Sequence, residues 1–332
     1  MASGQSWTAP ESLAQTSAGY DLRPLSTGEV LDRTFQLYRS RFALFASLAA
    51  LPAAISFVSG AIQVLTMQGE RVVGKLHVPV TIHPWATYTT RFLTFIVYYA
   101  LYGITQAATT WAVAEIYLGK AAALRTAWKA AVAHWLRYVL VTLRQYWSVF
   151  WLPGIAFGAM FTLILINAKH PSLALSIGSG VIALLAIATL VYAVYAAIRV
   201  SLAVPASVIE SLGPNAAVRR SIALLVERKG RILVAGLLVF AMSMIVGVAL
   251  SPLLFLTMRA QGAERYVLQM GALAGSFFSR LLIGPVLAIA LCLFYFDERV
   301  RHEGFDIEFL MQRTGGPDPN SVVEESTSPE PA

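Results

Sequence analysis

Six apolar runs dominate the chain, over residues 42–67, 92–118, 146–168, 173–198, 232–258 and 266–296. Each reaches the ~20 residues that a helix needs to cross the hydrocarbon core of a bilayer. None alternates with period two over ~10 residues, as strands of a transmembrane barrel do. In lipid the backbone must satisfy its own hydrogen bonds, so the runs read as helices. A polar segment precedes the first run. That run starts too late and is too long for the apolar stretch of a cleaved signal peptide, and it reads as an uncleaved signal anchor. The pattern predicts an all-α integral membrane helical bundle with six transmembrane helices.

The polar connections resemble one another. Residues 118–140 and 212–234 align at an offset of 94, with Leu118/Leu212, Gly119/Gly213, Ala122/Ala216, Ala123/Ala217, Arg125/Arg219, Val132/Val226 and Arg137/Arg231 identical. A looser copy fits at 25–45, with Leu31 under Leu124 and Phe35 under Trp128. Each copy has a helical apolar stripe: Leu31, Phe35, Tyr38 and Phe42; Leu124, Trp128, Ala131, Trp135 and Tyr138; Val218, Ile222 and Leu225. Such stripes beside arginines suit helices lying in the membrane interface. Helices packed on cytoplasmic neighbours would show the same pattern. Ser26 and Glu29 have the spacing of a capping box at the start of the first. These observations predict three repeats, about 25–117, 118–211 and 212–305, each an interfacial helix plus two spans. A flexible cytoplasmic N-terminus (1–20) and a disordered, proline-rich acidic tail (314–332) complete the chain.

Composition narrows the class. Of 332 residues, 57% are hydrophobic and 13% charged, half the ~25% charge of an ordinary soluble domain. This excludes a water-soluble enzyme. Cys292 is the single cysteine, so no disulfide scaffold exists. The segments at the two termini and the second and fourth connections carry 18 of the 25 Lys and Arg, the alternate connections 6. By the positive-inside rule both termini are cytoplasmic, in the inner (plasma) membrane. The net charge of +7 then follows topology and anionic lipid, and no nucleic-acid surface is implied.

The residues imply no catalytic motif, no metal site and no cofactor. His302-Glu303 lacks a second ligand one turn on. No Gly-x-Ser-x-Gly elbow or P-loop occurs. Gly154/Gly158 and Gly271/Gly275 have the spacing that lets spans approach, within the chain or in self-association. Pro52, Pro153 and Pro252 interrupt the first span of each repeat and shape it or mark a site. Arg280 lies inside the last run, where an ionised group by default marks function. It contacts substrate or lipid phosphate, joins an intramembrane pair, or snorkels outward from a helix that starts near Gly271. Arg219 and Arg220 are further headgroup candidates. Glu115 with Arg125, and Glu210 with Arg219, have the spacing to staple span ends to interfacial helices. The segment carrying Asp297, Arg299, Arg301, Glu303 and Asp306 mixes both signs, which favours an ion-pair network over a cation site.

Three stretches resemble a known bacterial family. They are 22–38 (Leu22, Gly28, Asp32, Tyr38), 204–221 (Val204, Pro205, Glu210, Gly213, Arg219, Ser221) and 295–308 (Tyr295, Asp297, Arg299, Glu303, Gly304, Asp306). This is the membrane domain fused to some glycerophosphoryl diester phosphodiesterases, with its stand-alone relatives of unknown function. The resemblance covers about residues 20–313. Hydrolysis in the fused proteins belongs to a separate soluble barrel. The ~20 residues on either side are too few for one, since a domain needs at least ~50. No catalytic residue is carried over. The expected function is non-enzymatic: lipid-headgroup binding in envelope homeostasis. A small-solute transporter or channel is the alternative, and an intramembrane lipid-processing enzyme a third.

Overall fold

A computed structural model describes residues 24–303, apart from 67, 74–75, 82–83, 171, 226–228 and 261. The expected terminal segments and Asp306 lie outside the described residues. The protein is an all-α bundle with, among the described residues, six helices long and apolar enough to cross a membrane.

In chain order, a short helix α1 (Thr27–Ser40) leads into α2 (Phe42–Thr66). Strands β1 (Gln68–Val73) and β2 (Leu76–Thr81) form an antiparallel hairpin, Gln68 opposite Thr81. Then come α3 (Pro84–Tyr117), short α4 (Leu124–Ala133), α5 (Trp135–Lys169) and α6 (Leu173–Val200). Two short helices, α7 (Ala203–Ile209) and α8 (Pro214–Leu224), precede α9 (Lys229–Thr257) and α10 (Gly262–Glu303). A short helix thus stands ahead of each pair of long ones.

The 42 residues of α10 span about 63 Å at ~1.5 Å per residue, twice the ~30 Å hydrocarbon core. This helix is central: 56% of its most apolar window is buried, against 11–17% for α5, α6 and α9. It packs on α2, α9, α3 and α1. Ile289, Leu293, Phe294, Tyr295 and Phe296 are fully buried on it. The peripheral helices leave Trp147, Ile155, Leu173, Val191 and Ile245 exposed. So extensive an apolar surface is intelligible only against lipid. Trp85 at the start of α3 and Trp135 at the start of α5 are also exposed, suiting the two headgroup levels.

The short helices divide in how they use their stripes. On α1 the core side is Val30, Thr34 and Leu37, while Phe35 of the expected stripe faces outward; the backbone breaks at Arg41 (φ −126°, ψ 35°), so Phe42, also exposed, opens α2. That suits a helix offering aromatics to the interface. Its capping box forms as expected: Glu29 N–H donates to Ser26 Oγ at 3.2 Å and Ser26 N–H to Glu29 Oε2 at 2.7 Å. On α8 the stripe turns inward, with Val218 and Leu225 buried. The stripe from Leu124 to Tyr138 does not lie on one helix. The backbone breaks at His134 (φ −126°, ψ 31°), and Trp135 and Tyr138 belong to α5.

Gly103 and Gly275 sit at close helix contacts. A Cβ at Gly103 would lie 2.7 Å from Thr142 Oγ1 and 3.3 Å from the Tyr138 carbonyl. One at Gly275 would meet Leu250 at 2.5 Å. A Cβ at Gly154 or Gly158, in contrast, would meet nothing within 4 Å, so neither marks a close helix contact inside the chain.

Candidate functional site

Two polar regions interrupt the apolar bundle. The first is an ionic hub at the end where α1 begins and α10 finishes. Its centre is Asp297, 2% exposed, nearly two turns before the end of α10. A carboxylate so buried is tolerable only when paired and hydrogen-bonded. Arg231, at the start of α9, donates to Asp297 at 2.5 Å, Glu298 at 2.9 Å, the Leu25 carbonyl at 2.8 Å and the Thr27 hydroxyl at 3.2 Å. Arg301 donates to Asp297 at 3.0 Å and to the Leu25 carbonyl at 2.5 Å. Asp297 also accepts from the Leu25 N–H at 2.6 Å. One arginine thereby ties α9 and α10 to the residues that open α1.

A second cluster lies on the neighbouring face of α10. Arg220 of α8 reaches Glu210 through two nitrogens, at 2.8–3.0 Å, and also pairs with Glu303. Arg299 contacts Glu303 at 3.0 Å, and the Tyr295 hydroxyl donates to Glu210. Partial burial pulls the Arg220 pKa down, but its bonds to both carboxylates outweigh this and leave it raised. Glu210 therefore staples α7 to α8 through Arg220 rather than through Arg219, which is exposed. Arg219 points away because successive helical positions are 100° apart. Glu115 likewise meets Lys120 at 3.6 Å, and its expected partner Arg125 is exposed on α4. The chain reverses at Gly119 (φ +80°), which brings Lys120, not the later Arg125, back over the end of α3.

The second region lies at mid-length of the spans. Arg280 is near the middle of α10, beside Ser56 near the middle of α2 and Tyr98 near the middle of α3. Helix α10 runs unbroken through Gly271 from Gly262, so Arg280 does not stand near a helix start. It donates to the Ser56 hydroxyl, and its guanidinium carbon lies 5.5 Å from the Tyr98 ring centroid. Among the described residues no carboxylate pairs with it. The side chain is exposed on the bundle surface.

Two cavities meet there. One, of about 380 Å³, runs toward the hairpin end, lined by Ser56, Ser59, Gln63, Arg91 and Thr94. A hydrogen-bonded ladder follows it: Arg91 to Gln63 at 3.0 Å, Gln63 to Ser59 at 3.3 Å, Ser59 to Thr94 at 2.6 Å. The other, of about 220 Å³, runs toward the end with the ionic hub, lined by Pro52, Tyr102, Thr105, Gln106, Ser243 and Pro285. Arg280 and Tyr98 line both. Pro285 interrupts α10 and Pro52 interrupts α2 beside the same cavity.

The hub and the groove differ chemically. In the hub each buried carboxylate faces an arginine, which fixes helix ends. In the groove a guanidinium stands among hydroxyls and amides, which suits an incoming anion. Sequence reasoning singled out Arg280 and the mixed-charge segment that holds Asp297 and Glu298, but missed Arg231, Arg91 and Tyr98 as site residues. The signals were there. Arg231 is one of the repeat identities. Polar groups recur at helical spacing at 56, 59 and 63, and again at 91, 94, 98, 102, 105 and 109. Comparison with protein families, curated proteins and solved structures finds no match to this chain.

Proposed function

We propose that this chain is a non-enzymatic multi-pass membrane protein that binds the phosphate of an anionic lipid headgroup at Arg280. One observation carries the reading: a guanidinium at mid-depth, with hydroxyl and aromatic neighbours and no carboxylate among the described residues, beside polar space. A charge in the hydrocarbon region is expensive and is retained where it has a partner. A phosphate oxyanion matches the guanidinium fork. Arg219, exposed on α8, offers a second contact at headgroup level. Arg220 is committed to Glu210 and Glu303, which makes it a structural residue in this reading.

The fuller assignment has three further parts. The protein resides in the inner membrane with both termini cytoplasmic, on the distribution of Lys and Arg. It is a stand-alone relative of the membrane domain associated with glycerophosphoryl diester phosphodiesterases. In support, the described parts of the three resembling stretches converge on the end of α10, although far apart in sequence: the residues opening α1 meet it at the ionic hub, and α7–α8 meet it at the neighbouring cluster. It is built from three repeats. In support, the aligned residues Arg137 and Arg231 do equivalent work. Arg137 donates to the Ser211 carbonyl just before α8, at 3.2 Å, and Arg231 to the Leu25 carbonyl just before α1.

The test is native mass spectrometry of gently extracted protein, wild type beside Arg280→Gln. The expected result is an anionic phospholipid retained by wild type and lost from the variant. Equal retention in both, or retention in neither, overturns the assignment.

A further inference from the structure

The two cavities share their walls only at Arg280 and Tyr98. One leads from that pair toward the hairpin end of the bundle and the other toward the hub end. Each is many times the ~30 Å³ share of a single water. Ser56, Ser59, Thr94, Thr105 and Gln106 line them with polar groups at mid-length of the spans.

The charges are asymmetric. Arg91 stands near the hairpin end, Arg280 stands where the two cavities meet, and Arg280 is the one charged side chain lining the hub-side cavity among the described residues. An anion is thus attracted inward from the hairpin side and held at mid-depth. Beyond Arg280 it meets uncharged donors, hydroxyls and the Gln106 amide, among apolar side chains. A lone arginine at a constriction repels cations by Coulomb force and lowers the barrier for anions. The Tyr98 ring lies against the guanidinium and stacks on Tyr102, with centroids 6.1 Å apart and planes at 16°. It occupies the junction between the two spaces.

We infer that the cavities are the two halves of one track, along which a phosphate-bearing anion passes Arg280 from one side of the membrane to the other, with the Tyr98 ring as its gate. The inference rests on the anion-binding reading of Arg280 and extends it from holding to moving. The anion is either the headgroup of a lipid whose tails stay in the bilayer, or free phosphate. Arg280 is exposed on the bundle surface, which lets tails remain outside the track.

The experiment uses full-length protein in phosphatidylglycerol-containing liposomes with two readouts. One is dithionite access to a headgroup-labelled phosphatidylglycerol placed in the inner leaflet. The other is efflux of entrapped radiolabelled phosphate. Wild type is expected to speed at least one of them tenfold or more over protein-free vesicles. Lipid movement alone assigns the headgroup, phosphate movement alone assigns the free anion, and either supports the track. Arg280→Gln is expected to return the rate to the protein-free level, while Arg280→Lys retains part of it. Tyr98→Ala is expected to raise the rate severalfold. Variants are compared only as monodisperse preparations, so that loss of folding is not counted. An unchanged rate in Tyr98→Ala overturns the gate. No movement by wild type, with anion still retained in native mass spectra, overturns the track and leaves the binding assignment standing. Neither movement nor retention removes both.

Discussion

Replacing Arg231 with methionine keeps much of the side-chain volume and removes its charge and donors. Four contacts disappear together: Asp297, Glu298, the Leu25 carbonyl and the Thr27 hydroxyl. Asp297 keeps Arg301 at 3.0 Å and the Leu25 N–H at 2.6 Å, and the Leu25 carbonyl keeps Arg301. The damage therefore concentrates on Glu298, which is 1% exposed and retains His302 at 3.6 Å among its neighbours. Removing one partner of a buried pair costs about 3–5 kcal/mol, because the other charge stays buried. The remaining arginine at Asp297 places the expected loss near the low end, about 3 kcal/mol. At ~2 °C per kcal/mol for a large chain, the midpoint should fall by about 6 °C. Thermal unfolding in detergent, followed by intrinsic fluorescence, reads this directly. Arg301→Met, which removes a more exposed partner, should cost only about 1 kcal/mol. If Arg231→Met unfolds within about 1 °C of wild type, or if Arg301→Met proves the more damaging, Arg231 is not the clamp of the hub and the reasoning fails.

Three other outcomes follow from the same geometry. Glu210→Gln removes one carboxylate from Arg220 and Arg299, which both keep Glu303; it should cost about 1–2 kcal/mol, and adding Arg220→Met should cost less than the sum of the two, as a double-mutant cycle would show. Gly103→Val drives a side chain into Thr142 and the Tyr138 carbonyl and should destabilise by about 1–3 kcal/mol, whereas Gly154→Ala, with open space around it, should stay within about 0.5 kcal/mol in the same melting assay. Ser26→Ala removes the cap of α1 and should cost about 1 kcal/mol, read as faster amide exchange in the first turn of that helix.

The spans were legible because apolar length is a local property. Residues 42–67 and 173–198 were read to within two residues of α2 and α6. The third span was read eleven residues short at its start, because Trp135, Arg137 and Tyr138 look interfacial although the helix continues through them. The hairpin between α2 and α3 carried no strand signal that was recognised. The capping box at Ser26 was readable because both partners lie within four residues. The pairings of Glu115 and Glu210 were misassigned because spacing alone does not give the rotation of a helix about its axis. Arg219 and Arg220 are adjacent in sequence, yet one faces solvent and the other two carboxylates.

Hydrophobic length, the basic connections and the recurrence near 94 residues were all determined by the sequence alone, since each concerns how one segment meets lipid or water. The position of Arg280 in an apolar run was equally plain. Its surroundings were decided only by tertiary structure. Ser56 and Tyr98 come from two other helices, and nothing local states that the polar stripes of α2 and α3 face α10 and line two open cavities. The same holds for Arg231, an ordinary basic residue at the start of a span until folding places Asp297, Glu298 and Leu25 around it. A buried charge is tolerated only by partners brought from a distance, so its role exists in the packed bundle and not in any stretch of chain.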